Sequence, residues 1–112
     1  MKAFSVDARG HPRFKLEIDI RISSRTCGVL MGRTVDISES GIAAMLKIEV
    51  PTGEIVKLDF RLPLGQVRIY AIGRQRNAFR YGFQFTELNS ALEIIRQTCR
   101  DLAVDQSLIE IA

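Results

Sequence analysis

Two short patterns in the chain combine residue types that could do chemistry. Arg9 and Arg13 stand four apart in RGHPR, and DISESG at 36–41 carries Asp36, Ser38 and Gly41 in a D-x-S-x-x-G spacing. A guanidinium is a rigid planar fork that pairs bidentately with phosphate and stacks on flat rings, which a lysine ammonium does not do. Taken singly, each pattern also has a plain reading. RGHPR reads as a solubilising basic tail, and DISESG as a turn in which Asp and Ser bond local backbone and Gly supplies unusual dihedrals.

The groups that catalysis needs are sparse. His11 is the single histidine and sits beside Pro12, away from the other candidates. Ser38 and Ser40 have no evident base, so a nucleophilic triad would have to recruit His11 from a distant segment. Asp36 and Glu39 read as a turn residue and a solvated side chain rather than an acid–base pair. There is no P-loop and no glycine-rich dinucleotide fingerprint, so no enzymatic activity and no cofactor are expected. Cys27 and Cys99 are far apart and, with one histidine, do not assemble a familiar zinc set. They read as two small buried hydrophobes. The net charge is +3 and most basic residues are arginine, which leans the search toward anionic, planar partners.

The elements that must position these residues are mainly strands. FKLEIDIRI at 14–22 alternates without a fault and predicts a half-buried strand. A second strand is expected at about 25–35, bent or bulged at Gly28 and Gly32. IAAMLKIEV predicts a third, closed by a turn at Pro51-Thr52-Gly53. IVKLDFRL directs Val56, Leu58, Phe60 and Leu62 inward, and Pro63-Leu64-Gly65 ends it. QVRIYAIGRQ predicts a fifth strand, and residues 79–85 a sixth with Phe79, Tyr81, Phe83 and Phe85 on one face. The period then changes: Leu88, Leu92, Ile95, Cys99 and Leu102 form a helical stripe over about 90–103, with Ser90 and Glu93 in capping-box relation.

Short antiparallel strands with a helix appended predict one mostly β domain, a small barrel or folded sheet with a packed interior. Residues 1–13 read as a flexible N-terminal arm, 14–103 as barrel plus helix, and 104–112 as a tail that extends the helix or packs loosely. No apolar run approaches the roughly 20 residues of a membrane helix, and no signal-peptide core is visible near the start. Membrane insertion is therefore not expected, and the cytoplasm is the expected compartment.

RGHPR followed by DISESG, with one strand pair between them, resembles the signature of the PilZ domain family: R-x-x-x-R, then D/N-x-S-x-x-G. YGFQF at 81–85 is similar to the family's last barrel strand, and the helix follows where it should. The resemblance implies a six-stranded antiparallel barrel with a C-terminal helix, binding of cyclic di-GMP, and regulation of motility, adhesion or exopolysaccharide output through an unidentified downstream protein. Carried onto this chain, Asp36 would accept the guanine N1–H and amino edge, with a hydroxyl contact from Ser38. Arg9 and Arg13 would engage phosphate and the guanine O6/N7 edge. Gly41 would shape the backbone. Arg74, near the end of the fifth strand, either lines the same site or decorates the surface. The alternative is a PilZ-like interaction module without ligand binding. A nucleic-acid-binding barrel is the weaker third reading, because basic and acidic residues are interspersed and no aromatic platform stands beside the arginines.

Overall fold

The computed structural model of the chain describes residues 5–6, 10–86 and 89–111. Among them the strands are β1 (Ser5–Val6), β2 (Pro12–Lys15), β3 (Asp19–Ser24), β4 (Gly28–Ile37), β5 (Gly41–Met45), β6 (Ile55–Leu62), β7 (Gly65–Asn77) and β8 (Arg80–Phe85). One helix, α1 (Ala91–Ile111), ends the chain. Strands β4, β3, β6, β7, β8 and β5 pair in that order, and β5 returns to β4. Every pairing is antiparallel. The result is the six-stranded barrel that the PilZ resemblance implied. Closure leaves none of the six with an open edge along its paired length.

The inward face of each strand fills this barrel. In β6, Val56, Leu58, Phe60 and Leu62 are buried, and they meet Ile20 and Ile22 of β3, Val67 and Ile69 of β7, and Phe83 of β8 in one core. Helix α1 adds Ala91, Leu92, Ile95 and Cys99 to that core, so its apolar stripe closes the structure rather than lying free. Both cysteines are free thiols, Cys99 buried and Cys27 half-buried. Burial pushes the Cys99 thiol up to about 12, with the charge of Glu39 adding to the effect.

Several sequence expectations are corrected by local physics. FKLEIDIRI is not one strand: β2 and β3 both pair with β4, but the register changes from Lys15↔Asp36 to Asp19↔Arg33. The buried Thr34 hydroxyl fills the gap, donating to the Leu16 carbonyl at 2.5 Å and accepting from the Ile18 amide at 2.9 Å. The expected irregularity at Gly32 lies instead at Val35, where the β4–β5 register breaks between Thr34 and Asp36. Gly32 serves packing: a Cβ there would lie 2.5 Å from Leu46 Cδ2. The third strand ends at Met45, although Leu46 and Val50 beyond it stay buried. Val50 is held by its amide bond to the Tyr81 hydroxyl at 3.1 Å. Phe79 is exposed in the β7–β8 turn and does not share the inward face of Tyr81, Phe83 and Phe85.

Helix α1 starts one residue later than expected and continues through Ile111, so the tail extends the helix. Its N-terminal cap comes from Asn89, whose Oδ1 accepts from the Ala91 amide at 2.8 Å; Ser90 contributes only its carbonyl, to Glu93. Pairing at the N-terminal side begins before residue 14, since Ser5 and Val6 face Arg13 and Pro12. Near the far end of α1, the Gln106 side-chain amide takes both backbone groups of Lys15: Nε2 donates to its carbonyl at 3.0 Å, and Oε1 accepts from its amide at 3.3 Å. Gln106 thereby acts as a neighbouring strand for β2.

A second clasp lies at the opposite turn. The Glu54 carboxylate accepts from Ser24 Oγ at 2.5 Å, from the Thr26 amide at 3.2 Å and from the Thr26 hydroxyl. The Ser24 bond, then those of Thr26, hold its pKa below the ordinary glutamate value. A carboxyl with a lowered folded-state pKa stabilises the fold above its unfolded pKa, and that contribution disappears as pH falls through the folded value. Glu54→Gln should therefore lower the melting temperature most at neutral pH. The gap between variant and parent should close on acidification below the ordinary carboxylate range, read by thermal circular dichroism across pH.

Candidate ligand-binding site

The hexapeptide 36–41 spans the end of β4, a tight turn and the start of β5. Ser38 donates its amide to the Gly41 carbonyl at 2.8 Å, and its Oγ accepts from the amides of Ser40 and Gly41, each at 3.2 Å. The residue has no exposed surface. Its hydroxyl is thus committed to the turn, the local side-chain-to-backbone bonding that serine favours. Gly41 is set by a close approach: a Cβ would lie 2.3 Å from the Phe83 carbonyl of β8. Two of the three motif residues accordingly build the scaffold.

Asp36 is the chemical member. Thr34 faces inward opposite Ala44, and strict alternation would send Asp36 inward as well. The extra residue, Val35, shifts the pairing so that Asp36 stands opposite Ala43, while Ile37 returns to the core opposite Ile42. A bulge re-aims a side chain in this way at the expense of one unpaired residue. On the outer face, Asp36 Oδ1 accepts from Arg13 Nε at 2.8 Å and Nη2 at 2.5 Å, and Oδ2 accepts from Arg80 Nη2 at 2.7 Å. The carboxylate is 14% exposed, against 20% for Arg13 and 49% for Arg80. It is a half-enclosed anion held by two guanidiniums.

Beside it runs a row of outward positions across five strands: Lys15, Asp36, Ala43, Gly82 and Gln75. A second bulge, between Gly73 and Gln75, brings Gln75 into this row. Ala43 and Gly82 give the row a flat floor. A Cβ on Gly82 would meet only Gln75, at an ordinary contact distance of 3.7 Å, so packing does not demand a glycine there. The bulged residue, Arg74, donates Nε to Gln84 Oε1 at 3.0 Å on the same outer surface; Gln84 is the ladder partner of Gly41.

The structure thus brings together Arg13 and Asp36, places Ser38 and Gly41 beneath them, and sets Arg74 across β8. Arg9 lies outside the described residues. Arg80 was missed by reasoning from the sequence. Its outward phase with Gly82 and Gln84 was visible in the alternation, but the adjacency of β8 and β5 that delivers it to Asp36 was not. Among the described residues no three His, Cys, Asp or Glu side chains gather to hold a metal ion, and no helix is long and apolar enough to cross a membrane.

The family model described as PilZ domain matches residues 7–101. The chain belongs to the PilZ domain family. Solved PilZ structures share its fold at low sequence identity. The PilZ domain of CeSA, from a cellulose-synthesizing bacterium, aligns with a TM-score of 0.62 at 19% identity, covering 77% of this chain and 93% of that one. The PilZ domain of YcgR from Escherichia coli, solved with c-di-GMP, aligns at 0.71 and 14%, covering 88% and 94%. The Bacillus subtilis inhibitor of motility MotI aligns at 0.75 and 20%, covering 89% of this chain and 53% of its own length. The comparison with curated proteins returned no match.

In this PilZ domain the serine of the motif has a measurable structural task. Ser38→Ala leaves two buried turn amides without their acceptor, at about 1–3 kcal/mol. Urea denaturation should show that loss, and Ser40→Ala, at the less buried position, should show a smaller one.

Proposed function

We propose that this PilZ domain is a receptor for cyclic di-GMP, a ligand with two phosphates and two guanines. The observation that carries the reading is the Asp36 carboxylate, turned outward by a bulge and held between Arg13 and Arg80 beside the Ala43–Gly82 floor. Guanine offers N1–H and an amino group side by side, which a carboxylate accepts with one bond to each oxygen. Each carboxylate oxygen accepts about two hydrogen bonds in its plane. Oδ1 already takes two from Arg13. Guanine binding then requires Arg13 to release one of them, and the freed donor turns to a phosphate or to the guanine O6/N7 edge.

The remaining motif residues take supporting parts. Arg9, one motif step before Arg13, supplies a second guanidinium, and both can stack on the bases. Ser38 and Gly41 fix the turn that aims Asp36, with the Ser38 hydroxyl serving the turn rather than the ligand. Arg74 adds positive potential on the same surface. A few charge-assisted bonds at about 1.5–3 kcal/mol each, less the cost of releasing Arg13 from Asp36, reach the roughly 8 kcal/mol of a micromolar complex. The output is a changed surface: Arg13, drawn from Asp36 to the ligand, rearranges the outer face beside β2 and alters contacts with a downstream protein, in the service of motility, adhesion or exopolysaccharide control. The second reading, an interaction module without ligand, is favoured by the self-sufficiency of the Arg13–Asp36–Arg80 cluster, which satisfies itself without a ligand.

Calorimetry separates them. Cyclic di-GMP should bind the parent at about micromolar affinity, and Arg13→Ala should lose at least about tenfold, the factor expected of one charge-assisted bond. Gly82→Val should fold with the parent's melting temperature and also lose at least about tenfold, because the branched side chain fills the floor. Absence of heat with the parent at about tens of micromolar would favour the interaction module.

A further inference from the structure

Next to the Asp36 cluster, but outside it, the barrel carries an open apolar groove of about 490 Å³ lined by Met31, Met45, Leu46 and Phe79, with Arg33 and Lys47 as its charged lining among the described residues. Met31 is 61% exposed and Phe79 57%. Phe79 is displayed at some cost. It shares a two-residue turn with Ala78, whose φ of +56° is a left-handed conformation disfavoured outside glycine by about 1 kcal/mol. A strained turn presenting an exposed aromatic marks a site where display outweighs local comfort. Two methionines opposite it give an adaptable, polarizable wall of the kind that accepts varied apolar side chains.

We infer that this groove is a docking surface for a short amphipathic segment of a partner protein, one that inserts apolar side chains and carries flanking carboxylates. The charge distribution selects this occupant. Among the described residues no acidic side chain lines the groove and Lys47 has no ion-pair partner; Arg33 shares its guanidinium with Asp19 at 3.0 Å. A second copy of the chain would bring the same lining to a two-fold interface, with no carboxylate among its described residues to meet Lys47. An anionic bilayer fits less well because the groove is concave; the exposed carboxylates of Asp19 and Glu49 are each engaged by an arginine, Arg33 and Arg76. The site adjoins the Asp36 cluster through Met45, the ladder partner of Arg80, but the inference stands without cyclic di-GMP binding.

The test uses the full chain with methyl-labelled methionine and a helical peptide bearing leucines at i, i+3, i+4 and i+7, flanked by glutamates. The Met31 and Met45 methyl resonances should shift on titration, and Lys47→Glu should weaken binding at least about tenfold. A peptide with lysines in place of the glutamates should bind the parent poorly and recover affinity for the Lys47→Glu variant. Lys47 is exposed, so the variant keeps the fold, as its unperturbed spectrum would verify. Methyl resonances unmoved by the acidic peptide would overturn the inference, as would equal binding of both peptides. So would methyl shifts elicited by vesicles of anionic phospholipid and not by peptide, or by self-association seen in sedimentation.

Discussion

One inserted residue governs the outer surface of this barrel. Val35 breaks the β4–β5 register between Thr34 and Asp36, so two residues that alternation would place on the same face end on opposite ones. Thr34 goes inward, where its hydroxyl repairs the interruption between β2 and β3. Asp36 goes outward, where two guanidiniums meet it. A carboxylate turned into the barrel instead would be desolvated among aliphatic side chains, a burial costing several kcal/mol. The bulge therefore serves the core and the site together.

Around that pivot the molecule divides its polar groups by task. Ser38 and Asn89 serve backbone amides at a turn and a helix start. Glu54 ties the β3–β4 turn to the loop before β6. Among the described residues, the Asp36 cluster alone combines half-burial, mixed charge and the small-residue floor of Ala43 and Gly82. That combination, set on a PilZ barrel, separates it from exposed pairs such as Arg33–Asp19, whose contributions of this kind are about 0–1 kcal/mol.

Much of this architecture was legible in the residues. IVKLDFRL forms β6 over the same eight positions, because nothing in it departs from period two. The family resemblance assigned Arg13 and Asp36 separate contacts to one ligand, and did not anticipate the direct ion pair they form across 23 positions. Legibility failed where a tertiary contact overrides a local pattern. FKLEIDIRI alternates perfectly, yet Thr34, from another strand, splits it. Ser90 and Glu93 have capping-box spacing, but Asn89 reaches the helix amides first. Phe79 keeps step with Tyr81 and Phe83 and still faces solvent, because the turn claims it. Arg80 could not be assigned to Asp36 without knowing that β8 lies beside β5.

The amide of Gln106 has a mechanical consequence. Lys15 sits two residues beyond Arg13 on β2, and the bonds to its backbone groups on the side away from β4 come from a residue 91 positions later in the chain. The root of the arginine-bearing segment and the last third of the helix are therefore coupled like the two ends of a lever. A displacement of β2 must either carry α1 with it or expose a peptide group to water. The two bonds tie the helix directly to the strand that carries Arg13.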